Sequence, residues 1–82
     1  MTQITFKVQA FWDKDAQVWV ATSEDVPGLV TEASTIEVLT QKLRDLIPEL
    51  ILLNRIVPSD YVGSITFELI SHRQELISVT NR

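Results

Sequence analysis

The sequence predicts an α+β fold of two layers, ordered β-β-β-α-β, in which an antiparallel sheet carries one long helix kinked at Pro48. Three observations predict it: period-two alternation of apolar residues from Ile4 to Trp12, a Val26-Pro27-Gly28-Leu29 turn, and a helical apolar stripe from Ile36 to Leu53. The 82 residues are enough for one core, and a domain of this size buries only about 60% of the surface its unfolded chain exposes. Apolar and aromatic side chains make up 45% of the chain, more than so small an interior needs. Part of the apolar surface is therefore expected to face a partner.

In the first strand Ile4, Phe6, Val8, Ala10 and Trp12 alternate with Thr5, Lys7, Gln9 and Phe11, as when one strand face is buried. Asp13-Lys14-Asp15-Ala16 breaks the pattern with turn-formers, and Gln17 to Ser23 resumes an extended reading, so a hairpin is expected. Val18, Trp19, Val20 and Ala21 are apolar on both faces, which predicts cover on both sides of that strand. In the turn, Pro27 presets φ near about −65° and Gly28 accepts the positive φ that type II geometry requires next. Leu29 to Ala33 then reads as a short third strand. Ser34 with Glu37 three residues on has the spacing of a capping box and places the helix N-cap at Ser34.

Along the helix Ile36, Leu39, Leu43, Leu46, Ile47, Leu50 and Leu53 form the stripe expected to lie on the sheet. Val38, Leu52 and Ile56 gather on the opposite side, where a lone small domain would carry Lys or Glu. Pro48 lacks an amide donor and its ring crowds the carbonyl of Arg44, hence the kink. Asn54 to Asp60 is the exit loop, and Val62 to Ile70 is a return strand expected to pair antiparallel with a neighbour, with Gly63 marking a bulge. Residues 1–70 are thus the domain. Residues 71–82 admit two readings: a turn at Ser71-His72-Arg73-Gln74 with an extra edge strand over Glu75 to Thr80, or a loosely held tail.

Charge and composition exclude several functions. The net charge is −4, and Asp13, Asp15, Glu24, Asp25 and Glu32 against Lys7 and Lys14 put most of it in the first 33 residues. No basic stripe exists to displace counterions from phosphates, so direct nucleic-acid binding is not expected, and an acidic face suits a basic protein. The chain has no cysteine, and Asp13-Lys14-Asp15 lacks the glycine and distal glutamate of a calcium loop, so no metal or cofactor is expected. His72, the only histidine, stands in a polar stretch with neither nucleophile nor orienting partner in view, and no G-x-S-x-G, phosphate-loop or S-x-x-K spacing is present. Catalysis is not expected. Trp12 and Trp19 read as core rings across the hairpin in preference to stacking platforms. With no signal-peptide pattern and no apolar run near about 20 residues, a cytoplasmic protein off the membrane is expected.

The order strand, acidic turn, Trp19-Val20-Ala21, Asp25-Val26-Pro27-Gly28-Leu29, Thr31 and Thr35-Ile36-Glu37 resembles the HicB-like antitoxin family. The likeness spans residues 4–70, its firm motif lying between Trp19 and Glu37, and Leu43 to Leu50 is similar to a short subfamily that shares Pro48. The resemblance implies a partial ribonuclease-H-like scaffold, here without the converging carboxylates of the nuclease. It also implies an antitoxin that binds and blocks a small basic RNA-cleaving toxin. Full-length members add a C-terminal DNA-binding domain, for which residues 71–82 are too short, so operon repression is not expected.

Two sets of site residues follow as expectations. Asp13, Asp15, Glu24 and Asp25 form an acidic face for a basic toxin, beside the structural turn of Pro27 and Gly28. Val18, Val20, Val38, Leu52 and Ile56 form the self-interface of a homodimer.

Overall fold

A computed structural model describes residues 4–81. Five elements appear in the expected order: β1 (Ile4–Asp13), β2 (Val18–Thr22), β3 (Val30–Ala33), α1 (Ile36–Leu53) and β4 (Ile65–His72). The strands form one sheet in the order β3-β2-β1-β4. β1 and β2 pair antiparallel with Phe11 opposite Val20 and Trp12 opposite Trp19, and β2 and β3 pair antiparallel with Trp19 opposite Ala33.

The return strand departs from expectation. β4 pairs parallel with β1, Ile4 opposite Ile65 through Phe11 opposite His72, so the sheet is mixed. Two antiparallel steps leave β3 running in the direction of β1. The helix carries the chain back and residues 54–64 deliver β4 to the far edge in that same direction, a helical crossover being what parallel neighbours require.

α1 packs on one face of the sheet. Phe6, Val8, Ala10, Trp19, Ala21 and Ala33 turn toward it and are buried, and Leu39, Leu43, Ile47 and Ile51 answer from the helix. The buried row runs by fours, so it precesses around the axis by about 40° per step, as a helix following a twisted sheet does. That precession brings in Ile51, which lay outside the expected stripe, and leaves Leu53, which lay inside it, 77% exposed.

The helix begins one residue later than the capping-box spacing indicated. Thr35, not Ser34, is the N-cap, with extended backbone and its Oγ1 accepting from the Val38 amide at 3.1 Å. Ser34 is a bend between the end of β3 and that cap, and Glu37 falls in the first turn, where its charge favours the positive end of the helix dipole. α1 runs on through Pro48 as one helix. It ends in a Schellman motif: the Ile56 amide donates to the Ile51 carbonyl at 2.8 Å and the Arg55 amide to the Leu52 carbonyl at 3.2 Å, with Arg55 at φ 57°.

At the C-terminus β4 continues to His72, so no turn forms at Ser71 to Gln74. Residues 73–81 carry no strand and are exposed.

Candidate functional site

The turn after β2 is anchored at both flanks. Val26 and Leu29 are buried, the Leu29 amide donates to the Val26 carbonyl at 3.2 Å, and Gly28 takes φ 81°, the type II geometry expected of Pro27-Gly28. The Asn54 side-chain amide reaches from the helix end to the Pro27 carbonyl at 3.2 Å. This turn is therefore a fixed ledge on the core.

Beside it, β1 outruns its partner strand. The β1–β2 ladder stops at Gln9 opposite Thr22, and side chains take over. The Ser23 hydroxyl donates to the Lys7 carbonyl and accepts from the amides of Asp25 and Val26, while the Asp25 carboxylate accepts from the Lys7 amide at 2.7 Å. One carboxylate oxygen of Asp25 thus satisfies a backbone donor that a longer β2 would have bonded.

Asp13 does similar work at the other end of the hairpin. Its carboxylate accepts from the amides of Asp15 at 3.0 Å and Ala16 at 3.2 Å, an Asx-type cap on the loop. Gln17 closes that loop at φ 59°, its amide donating to the Asp13 carbonyl and its side chain to the Lys14 carbonyl.

Two of the four expected acidic contacts, Asp13 and Asp25, are thus engaged by backbone. Asp15 and Glu24 are exposed and form no ion pair among the described residues. The two acidic loops lie at opposite ends of the hairpin: Lys7 and Asp13 are separated by about 20 Å of β1 at ~3.3 Å per residue. They stand at opposite ends of the hairpin instead of forming one acidic patch.

The five residues expected to form one self-interface divide between two sides of the domain. Val18 and Val20 face away from α1, where Val20 stands opposite the exposed Phe11. Val38 and Leu52 lie on the outer face of the helix at its two ends, and Ile56 lies just beyond it in the closing turn. Lys42, Asp45 and Glu49 occupy the stretch between Val38 and Leu52, so these three do not make a continuous patch with Ile56.

Sequence patterning placed Trp12 and Trp19 together across the hairpin but did not reveal the cation that joins them at its outer end. Trp12 and Trp19 meet edge to face with centroids 5.4 Å apart, Trp19 buried and Trp12 half-buried. The Arg73 guanidinium lies 4.1 Å from the Trp12 ring centroid and pairs with Glu75. An open groove of about 890 Å³ runs between this stack and the hairpin loop, bordered by Phe11, Lys14, Glu75 and Leu76. The available signal was an arginine at the strand end level with two tryptophans, legible only once β4 is known to run parallel to β1.

His72 closes β4 opposite Phe11. Among the described residues no three His, Asp or Glu side chains converge as a metal site would need, and no helix is long and apolar enough to cross a membrane.

No curated protein matches the chain. A solved structure does: the crystal structure of hypothetical protein TTHA1013 from the extremely thermophilic bacterium Thermus thermophilus is 42% identical, with a TM-score of 0.70 over 89% of this chain and 99% of that one. The model of the domain of unknown function DUF1902 matches residues 5–79, which take in β1 but for its first residue, the other three strands, the helix and most of the exposed C-terminal segment. The chain belongs to the DUF1902 family.

Proposed function

We propose that this chain is a non-catalytic protein-binding module of the antitoxin kind, neutralising a small basic RNA-cleaving toxin by direct binding. The observation that carries the reading is the placement of charge. Asp15 and Glu24 project from the two loops that end the β1–β2 ladder, so a basic protein lying along the ladder meets a carboxylate at each end. Such complementarity steers encounter and selects the partner more than it adds affinity. The net charge of −4 acts in the same direction. The HicB-like run from Trp19 to Glu37 supports a toxin as the class of partner, and Asp25 and Asp13 keep the two loops in place.

Co-expression with the product of a small basic reading frame beside the gene, followed by pull-down in low and high salt, tests the proposal. Co-purification that weakens with salt, and weakens again in Asp15→Asn/Glu24→Gln, is the expected result. Absence of such a neighbour, or of co-purification, overturns it.

A second reading is a stand-alone homodimer of the same fold with no toxin. The exposed apolar side chains of Leu76, Ile77 and Val79 favour it. A dimer mass in light scattering of the pure protein at micromolar concentration supports this reading, and a monomer mass excludes it.

A further inference from the structure

β4 is an outer strand of the sheet, with no further strand beside it among the described residues. Such an edge is a template for another strand unless charge, proline or a covering element blunts it. Here charges stand at Glu68, Arg73 and Glu75, but the strand runs on into an arm that carries exposed apolar side chains. Leu76, Ile77 and Val79 are 90%, 79% and 90% exposed. The radius of gyration is 16.1 Å, against about 12 Å for a compact chain of this length. The longest dimension is 66 Å against 24 and 19 Å, and Ile65 to Asn81, extended at about 3.3 Å per residue, accounts for most of it.

Three further observations make the arm part of a surface. The Arg73 stack on Trp12 fixes the direction in which it leaves the sheet. The helix axis runs nearest β3 and β2, and on β4 Ile65, Phe67 and Leu69 pack against the border of the core and stay half-buried on the helix side. The family model extends to residue 79, which places the arm inside the domain.

We infer that β4 and the arm are a self-association surface whose occupant is a second copy of this chain, the two β4 strands pairing antiparallel about a two-fold axis at Ile70. This rests on the homodimer reading and not on a toxin. A two-fold that joins two identical strand edges antiparallel stands perpendicular to the sheet, so directly opposed residues share a face and have the same parity. Centring on Ile70 sets Glu68 opposite His72 and Phe67 opposite Arg73 of the second copy, a carboxylate facing an imidazole N–H donor and a ring facing a cation. Centring on residue 71 would instead set Phe67 against Glu75, and centring on residue 69 would set Glu68 against Ile70. In the Ile70 register Ile77 lies opposite Gly63 and Val79 opposite the half-buried Tyr61, so the apolar end of each arm packs beside the other copy's approach to β4, while Arg73 and Glu75 border the half-buried row at Phe67 and Ile65. This interface replaces the scattered set of Val18, Val20, Val38, Leu52 and Ile56.

The chain has no cysteine, so Ile70→Cys introduces a single thiol. Opposed antiparallel residues have Cα atoms about 4.5 or 5.5 Å apart, within disulfide range. Mild oxidation is expected to convert I70C into a linked dimer on a non-reducing gel, whereas Val30→Cys, on the opposite edge strand, stays unlinked. Ile77→Asp, at a position already exposed in the single chain, is expected to weaken the dimer about tenfold with an unchanged circular dichroism spectrum. Glu68→Lys is expected to weaken it and Glu68→Lys/His72→Glu to restore it. A wild-type protein that is dimeric by light scattering, with no I70C link and no effect of I77D, overturns this interface and leaves the homodimer reading standing. A monomeric wild type overturns both.

Discussion

The Asn54 side-chain amide donates to two carbonyls, that of Leu50 at 2.9 Å within its own helix and that of Pro27 at 3.2 Å in the turn after β2. One residue thereby ends α1 and fixes the ledge beside the acidic loop. Removing the amide in Asn54→Ala is expected to cost about 1 kcal/mol, the net worth of a hydrogen bond. For a domain this size that lowers Tm by roughly 4–8 °C. Asn54→Asp is expected to cost more, since it sets a carboxylate against two carbonyl oxygens at the negative end of the helix dipole. Thermal melts of the three proteins check the order, and equal melting temperatures would contradict the bridge.

Asp25 and Glu24 are adjacent in sequence and different in kind. The Asp25 carboxylate accepts from the Lys7 amide at 2.7 Å, and Glu24 is exposed beside it. Asp25→Ala is expected to cost about 1–2 kcal/mol by leaving that amide without its acceptor. Asp25→Asn, which keeps an acceptor oxygen, costs less. Glu24→Gln and Asp15→Asn are expected to stay within about 0.5 kcal/mol of the parent while reducing low-salt capture of a basic partner. Urea titrations paired with the pull-down separate the roles. A D25A protein of full stability would show that Asp25 does not hold the ladder.

How much of this was legible in the sequence depends on whether the signal was local. The hairpin, the Pro27-Gly28 turn and the helix each rest on contacts within a few residues, and each is present. Parallel pairing of β4 is set by the path of a crossover that no residue in Ile65–His72 encodes, which is why an antiparallel return looked equally consistent. The acidic set mixed two roles for the same reason. Asp25 differs from Glu24 only through Lys7, 18 residues away. The arm was readable as apolar, but its exposure follows from where β4 ends.

The core row gives a direct test of helix rotation. Ile51 is buried and Leu53 is 77% exposed, the reverse of their standing in an unrotated stripe. Ile51→Ala is expected to destabilise by about 2–5 kcal/mol, as truncation of a buried aliphatic side chain does. Leu53→Ala is expected to change stability by less than about 0.5 kcal/mol. Equal losses in chemical denaturation would mean that both side chains share the core.

Arg55 closes the helix in a conformation that side chains resist. At φ 57° it occupies the left-handed position of the Schellman motif, where glycine is usual, and its Cβ crowds the following carbonyl at a cost of about 1 kcal/mol. Arg55→Gly removes that cost but makes the unfolded chain more flexible, which offsets a part of the gain. The two terms leave an expected stabilisation of about 0.5 kcal/mol and a Tm higher by a few degrees. Arg55→Ala keeps the Cβ and loses the long side chain, so it separates strain from surface charge. If the gain comes from strain, the glycine variant alone melts higher, and if it comes from removing a cation, both do. A helix C-terminus favours positive charge through its dipole, so the alanine variant is expected to melt no higher than the parent.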